Sequence, residues 1–85
     1  MKAEVFVTFK RGVLDPQGQV IAQSLRALGF TEVRGVRQGK YMEIELEGIS
    51  PAEAESRLDE MCRRLLANTV IEDYRVRVGE GKERG

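Results

Sequence analysis

The 85-residue chain contains no histidine and a single cysteine, and its 14 Lys and Arg are matched by 14 Asp and Glu. Each of these absences excludes something. Without His there is no Ser-His or Cys-His nucleophile pair, no imidazole general base and no His-ligated metal. Cys62 alone closes no intramolecular disulfide and builds no multi-Cys zinc site. At zero net charge, the counterion release that drives nucleic-acid binding has no source, so no nucleic-acid partner is expected. The chain opens Met1-Lys2-Ala3 without an apolar run of signal or membrane-spanning length, so no membrane partner is expected and the protein reads as soluble and cytoplasmic. Any enzyme chemistry would have to rest on carboxylates, Lys, Tyr or one thiol.

What is present is a foldable composition, 41% hydrophobic and 33% charged. The length allows one domain, read as residues 1–78, with a charged tail over 79–85 that has nothing to bury and is expected to be disordered. A chain this small buries only about 60–65% of the surface its unfolded form exposes, which leaves little stability and favours an oligomer.

Val5, Val7 and Phe9 alternate with Glu4, Phe6 and Thr8, the period of a strand over Lys2–Phe9 with one buried face. Asp15-Pro16 supplies an N-cap carboxylate and a first-turn proline for a helix whose apolar positions, Val20, Ile21, Leu25 and Leu28, recur at helical spacing until Gly29 stops it. Val33 and Val36 mark a second strand over Glu32–Gln38. Gly39-Lys40 reads as a hairpin turn, and Met42, Ile44 and Leu46 alternate with Glu43, Glu45 and Glu47 in a third strand. Ser50-Pro51-Ala52-Glu53 is a capping box for a second helix reaching about Ala67. Its stripe is Ala54, Leu58, Met61, Cys62, Leu65 and Leu66, with Asn68 as a C-terminal cap. A last strand over Ile71–Val78 closes the order β-α-β-β-α-β. Right-handed crossovers compact that order into a ferredoxin-like α+β sandwich, a four-stranded antiparallel sheet with two helices on one face. The open face would carry Phe6, Val36 and Tyr41 among charged residues and could pack on a second copy, giving a dimer or a dimer of dimers.

Candidate chemistry is sparse. Cys62 sits in the apolar stripe of the second helix, where a small core residue is wanted. Glu43, Glu45 and Glu47, spaced about 6.5–7 Å apart along one strand, read as a solvated face before a metal or acid-base cluster. At Asp15, Pro16, Gln17 and Gly18, free backbone N–H groups at a helix N-terminus could take an anion, but the Asp15 carboxylate already occupies that end. Arg37, Gly39, Lys40 and Tyr41 put two cations and an aromatic at a hairpin tip, either a protein contact or an ordinary solvated turn. Asn68, Ile71, Glu72, Asp73 and Tyr74 form either a partner-contact loop or a solvated junction. No spacing assembles a nucleophile, its base and an oxyanion site, so catalytic and metal residues are not expected.

Three stretches together, Val13-Leu14-Asp15-Pro16-Gln17-Gly18, Val36 through Glu43, and Met61 through Tyr74, closely resemble the PurS subunit family of phosphoribosylformylglycinamidine synthase. The likeness spans roughly residues 2–78. It implies a small non-catalytic subunit of a glutamine- and ATP-dependent C–N ligase of de novo purine biosynthesis. Such a subunit would bridge the glutaminase and synthetase subunits, pair with itself and support ammonia transfer as formylglycinamide ribonucleotide becomes formylglycinamidine ribonucleotide. ATP and magnesium would belong to the synthetase, with no cofactor on this chain. Subunit contacts would concentrate at Asp15–Gly18, Arg37–Tyr41 and Asn68–Tyr74. The alternative is a ferredoxin-like dimeric regulatory module that holds a small molecule. An RNA-binding domain fits poorly, because Phe6 among Glu4, Glu43 and Glu45 makes a poor platform for phosphates.

Overall fold

In chain order the elements are β1 (Lys2–Phe9), α1 (Pro16–Ala27), β2 (Gly39–Glu45), α2 (Pro51–Met61) with a terminal π-helical turn (Cys62–Leu66), and β3 (Glu72–Val78). The computed structural model describes residues 1–79, so all of the expected tail but Gly79 lies outside the described residues. β1 is the central strand, antiparallel to both neighbours in the order β2-β1-β3. Its alternation decides what is buried. Ala3, Val5 and Val7 point to one side and are almost wholly inaccessible. The register sets Val5 between Met42 and Val76, and Ala3 between Ile44 and Val78, so the apolar residues of all three strands form continuous rows on that side.

Helix α2 covers those rows. Its N-terminus is fixed by the capping box: Ser50 Oγ accepts from the Glu53 backbone N–H at 3.2 Å, and Glu53 Oε1 accepts from the Ser50 backbone N–H at 3.1 Å. Ala54, Leu58 and Cys62 then meet Ala3, Val5 and Val7 to make the buried centre, rimmed by Met42, Ile44, Leu46, Met61, Tyr74 and Val76 among others. Phe9, which continues the alternation, lies beyond this core.

Among the described residues the sheet has three strands, not the expected four. Residues 31–38 join no ladder, and Gly39 and Lys40 do not turn, because they pair with Thr8 and Val7. Val33 and Val36 are three residues apart, a spacing that cannot place both on one strand face. Residues 36–38 lie instead against the β1–α1 connection, so Val36 leaves the open sheet face. The second correction concerns α1. Its ends are as the sequence indicates, Asp15 accepting from the Gly18 N–H and Gly29 at φ 108° after the last turn, yet it contributes no residue to the core around Leu58. Leu28 is 73% exposed, and the radius of gyration is 16.2 Å against about 12 Å for a compact chain of this length. Both helices therefore do not share the sheet face.

Two smaller differences follow from the end of α2. The π-helical turn holds more residues per turn than an α-helix, which rotates Leu65 out of the stripe to 82% exposure while Leu66 still reaches the core. Ala67, extended at φ −133°, ends the helix. Asn68 therefore opens the following turn and does not cap.

Leu58 is completely buried under β1. Leu58→Ala should lower stability by about 2–5 kcal/mol, read as a lower urea midpoint at unchanged slope. A loss under 1 kcal/mol would contradict this packing.

Candidate functional site

The chain leaves β1 at Phe9 and enters β2 and β3 at Gly39 and Glu72, so all three junctions lie at one end of the sheet. The segments singled out from the sequence meet there. Asp15 is the centre of the first contact: its Oδ1 accepts from the Gly18 N–H at 3.0 Å and its Oδ2 from the Gln38 N–H at 3.0 Å. One carboxylate thus caps α1 and holds the approach to β2. Gln38 Nε2 donates to Gln17 Oε1 at 2.7 Å, and Arg37 Nη2 donates to the Phe9 carbonyl at 2.6 Å and to Thr8 Oγ1 at 3.2 Å. Gly18 has to be glycine here, because a Cβ would collide with the Val36 carbonyl oxygen. Pro16, at the first helical position, faces solvent.

The third segment joins the same end. Lys10 N–H donates to the Ile71 carbonyl at 2.8 Å, and its ammonium lies 3.6 Å from Asp73. Asn68 turns the chain: its Oδ1 accepts from the Val70 N–H at 3.1 Å and its carbonyl from the Glu72 N–H at 2.7 Å. Glu72 Oε1 accepts from the Asn68 N–H in return, at 2.7 Å. Lys40 Nζ donates to the Leu66 carbonyl at 3.3 Å, tying β2 to the end of α2. The result is a rigid end surface with Leu14, Val70 and Ile71 exposed among Lys10, Arg11 and Arg37.

The two tyrosines belong elsewhere. Tyr41 lies on the open sheet face, 5.2 Å from the Phe6 ring, with its hydroxyl within 2.8 Å of both Glu4 Oε2 and Glu43 Oε2. Both carboxylates resist a phenolate and push its pKa up. Glu4 is also bonded to Arg77, and the Arg75 guanidinium stands 4.8 Å above Phe6. Tyr74 is on the helix side, where its hydroxyl donates to Asp59 Oδ1 while Asp59 Oδ2 takes Arg63 Nε at 2.8 Å. Those bonds hold the Asp59 carboxyl below its ordinary value. Neither cluster was visible in the sequence. Each depends on strand register or helix rotation, and the available signals were the opposite charge of Glu4 and Arg77 on neighbouring strands and the helical i,i+4 spacing of Asp59 and Arg63.

Among the described residues, the polar groups at the shared end are bound chiefly to backbone. Cys62 is in the core, and burial pushes its thiol further from the thiolate. Among the described residues no three of Cys, Asp and Glu gather where they could hold a metal ion. The arrangement positions backbone and presents a surface.

The two backbone bonds at Asp15, the one from Gln38 first, lower its pKa below 3.8. A depressed carboxylate contributes stability above its unfolded value and loses it as pH falls through the folded value, so the clamp should persist past ordinary Asp titration and open in stronger acid. The Gly18 and Gln38 amide shifts should therefore titrate together with a midpoint below the ordinary Asp value. Midpoints at or above that value would contradict the clamp, and in Gly18→Ala the two amides should no longer move together.

Comparison with known proteins places the chain in a family. A family model, PurS, described as phosphoribosylformylglycinamidine (FGAM) synthase, matches residues 2–80. The phosphoribosylformylglycinamidine synthase subunit PurS of Bacillus subtilis is 48% identical over 79 residues, 93% of each chain. The crystal structure of Methanocaldococcus jannaschii PurS, a subunit of formylglycinamide ribonucleotide amidotransferase, superposes with a TM-score of 0.86 at 38% identity, covering 95% of this chain and 98% of that one. A chain in the PurLQS structure from Thermotoga maritima superposes with a TM-score of 0.82 at 33% identity, covering 89% and 93%. Likeness of this depth along nearly the whole length is more than a shared fold: the chain belongs to the PurS family of phosphoribosylformylglycinamidine synthase.

Proposed function

We propose that this protein is the small non-catalytic subunit of cytoplasmic phosphoribosylformylglycinamidine synthase, bridging the glutaminase and ATP-dependent synthetase subunits as an oligomer and supporting ammonia transfer between them. The overall reaction converts formylglycinamide ribonucleotide to formylglycinamidine ribonucleotide in de novo purine biosynthesis. One observation carries the reading beyond family membership. The three segments that mark the family converge on one end of the sheet, where they hold backbone in place by hydrogen bonds. A surface built this way is suited to contact. ATP, magnesium and the glutamine thioester chemistry belong to the partner chains.

The contact surface comprises Asp15, Pro16, Gln17 and Gly18, then Arg37, Gly39 and Lys40, then Asn68, Ile71, Glu72 and Asp73. Tyr41 and Tyr74 support it from the two sheet faces. Exposed Val70 and Ile71 supply the apolar centre such an interface needs, and Lys10, Arg11 and Arg37 its polar rim. No helix among the described residues is long and apolar enough to cross a membrane.

Reconstitution tests the proposal. With purified glutaminase and synthetase subunits, omission of this chain should lower glutamine-dependent product formation at least tenfold and ammonia-dependent formation much less. Equal glutamine-dependent rates with and without it would sink the bridging role. Val70→Glu should weaken assembly about tenfold or more while leaving the urea midpoint nearly unchanged, since Val70 is 81% exposed. Cys62→Ser should keep full activity and lose only stability, by about 1–3 kcal/mol from burying a hydroxyl. A folded but inactive Cys62→Ser chain would restore the thiol as a reactive group.

A further inference from the structure

Helix α1 and the segment returning from it leave the sheet as an arm, and a cavity of about 240 Å³ opens at its base. Its charged lining is Lys10, Arg11 and Arg37 against a single carboxylate, Asp15. Backbone sets each cation in place. The Lys10 N–H donates to the Ile71 carbonyl at 2.8 Å, and the Lys10 carbonyl accepts from the Val13 N–H at 3.1 Å, which closes a turn with Arg11 and Gly12 at its centre. Gly12, at φ 89°, takes the position in that turn that needs a left-handed backbone. From the other segment, Arg37 is held through Nη2, which donates to the Phe9 carbonyl and to Thr8 Oγ1. The cavity is therefore preformed, its cations brought together from two stretches distant in sequence.

The chain does not neutralise this charge itself. Lys10 lies 3.6 Å from Asp73, but Arg37 hydrogen-bonds only to neutral oxygens, and Arg11, exposed on the turn, makes no hydrogen bond or ion pair among the described residues. Asp15 offsets one charge of the three, and its two oxygens already accept from the Gly18 and Gln38 N–H groups. The same carboxylate occupies the N-terminus of α1, so what attracts an anion here is the side-chain cluster and not the helix end. Elsewhere cations are answered within the chain, Arg63 by Asp59, Arg64 by Glu60 and Arg77 by Glu4. Guanidinium forks match a carboxylate or a phosphate in two-pronged fashion. The surroundings choose between them. Leu14, 65% exposed, follows the turn, and Ile71, bonded to Lys10, is next to Val70 at 81%. A free inorganic anion would satisfy the cations and leave these side chains in water, whereas a polypeptide with Asp or Glu beside an apolar residue covers both.

We infer that the Lys10–Arg11–Arg37 cavity takes a carboxylate from an acidic segment of a partner subunit, while an apolar residue of that segment rests on the neighbouring exposed side chains. The inference rests on the bridging role proposed above and adds the chemistry of what docks on this end. Apolar cover over the ion pair excludes water and salt and so strengthens it. Arg11 has no bond to give up within the fold, so it reports the contact without disturbing the Asp15 clamp.

The test titrates the full chain separately into labelled glutaminase and labelled synthetase, read by fluorescence anisotropy. For one of the two partners Arg11→Glu should raise Kd about tenfold or more and Arg11→Lys much less, with the urea midpoint and the self-association of both variants unchanged. The parent chain's affinity for that partner should fall as NaCl rises from about 50 to about 300 mM, and Arg11→Glu should show a shallower fall. Unchanged affinity of Arg11→Glu for both partners overturns the inference, as does a Kd that salt does not move. Self-association lost in Arg11→Glu gives the cavity to a second copy and overturns it. Shifts of the Arg11 and Gly12 amides with inorganic phosphate on the order of 1 mM, together with normal partner binding by Arg11→Glu, give the cavity to a free anion and overturn it. If Arg11→Glu binds both partners normally while glutamine-dependent activity still requires this chain, the acidic contact falls and the bridging role stands. If Arg11→Glu loses a partner but glutamine-dependent activity needs no such chain, the contact stands and the bridging role falls.

Discussion

The carboxylate of Asp15 holds two backbone N–H groups far apart in sequence, those of Gly18 and Gln38. A helix cap ordinarily satisfies only its own helix. Here the second oxygen also fixes where the chain re-enters the sheet, so the direction of α1 and the start of β2 are set by one side chain. Three consequences follow. Residues 36–38 lie against the β1–α1 connection, Gly39 reaches the ladder already extended, and the arm between them stands away from the core. The close approach of Gly18 to Val36 reinforces the clamp, since any side chain at position 18 would force the two segments apart.

How far the fold was legible depends on where each element's determinants lie. β1 and α2 carried their own: alternation at Val5 and Val7, which the structure buries although Phe9 falls outside the core, and a capping box at Ser50 and Glu53, which it forms. For α1 the ends and the apolar stripe were equally plain, but periodicity says only that a face will be covered, not by which chain. The same ambiguity misled the reading of residues 32–38. Two valines suggested a strand, while the bonds that decide their path come from Asp15 and Phe9, distant in sequence. The π-helical turn, which turns Leu65 outward, left no mark in a helical repeat that remained apolar.

Candidate contact residues were legible as segments and less so as a site. Resemblance picked out three stretches, and the topology of a central β1 brought their junctions together, because both neighbours of β1 begin where it ends. It also parted the tyrosines. Tyr41 and Tyr74 belong to strands on opposite sides of β1 and alternate to opposite faces, so one joins the Glu4–Arg77 network and the other locks α2 through Asp59. That separation gives the end surface support from both layers.

A chain of this size has little apolar surface to spare, and here a large share of it, the outer face of α1, is withheld from its own core. Such an arrangement is unstable in isolation unless something else covers the face, so stability and assembly become one equilibrium. This suits a subunit that organises chemistry done by others. The neutral net charge fits as well. At zero net charge no long-range field acts on an approaching partner, and charge is expressed in local pairs such as Glu4–Arg77 and Lys10–Asp73.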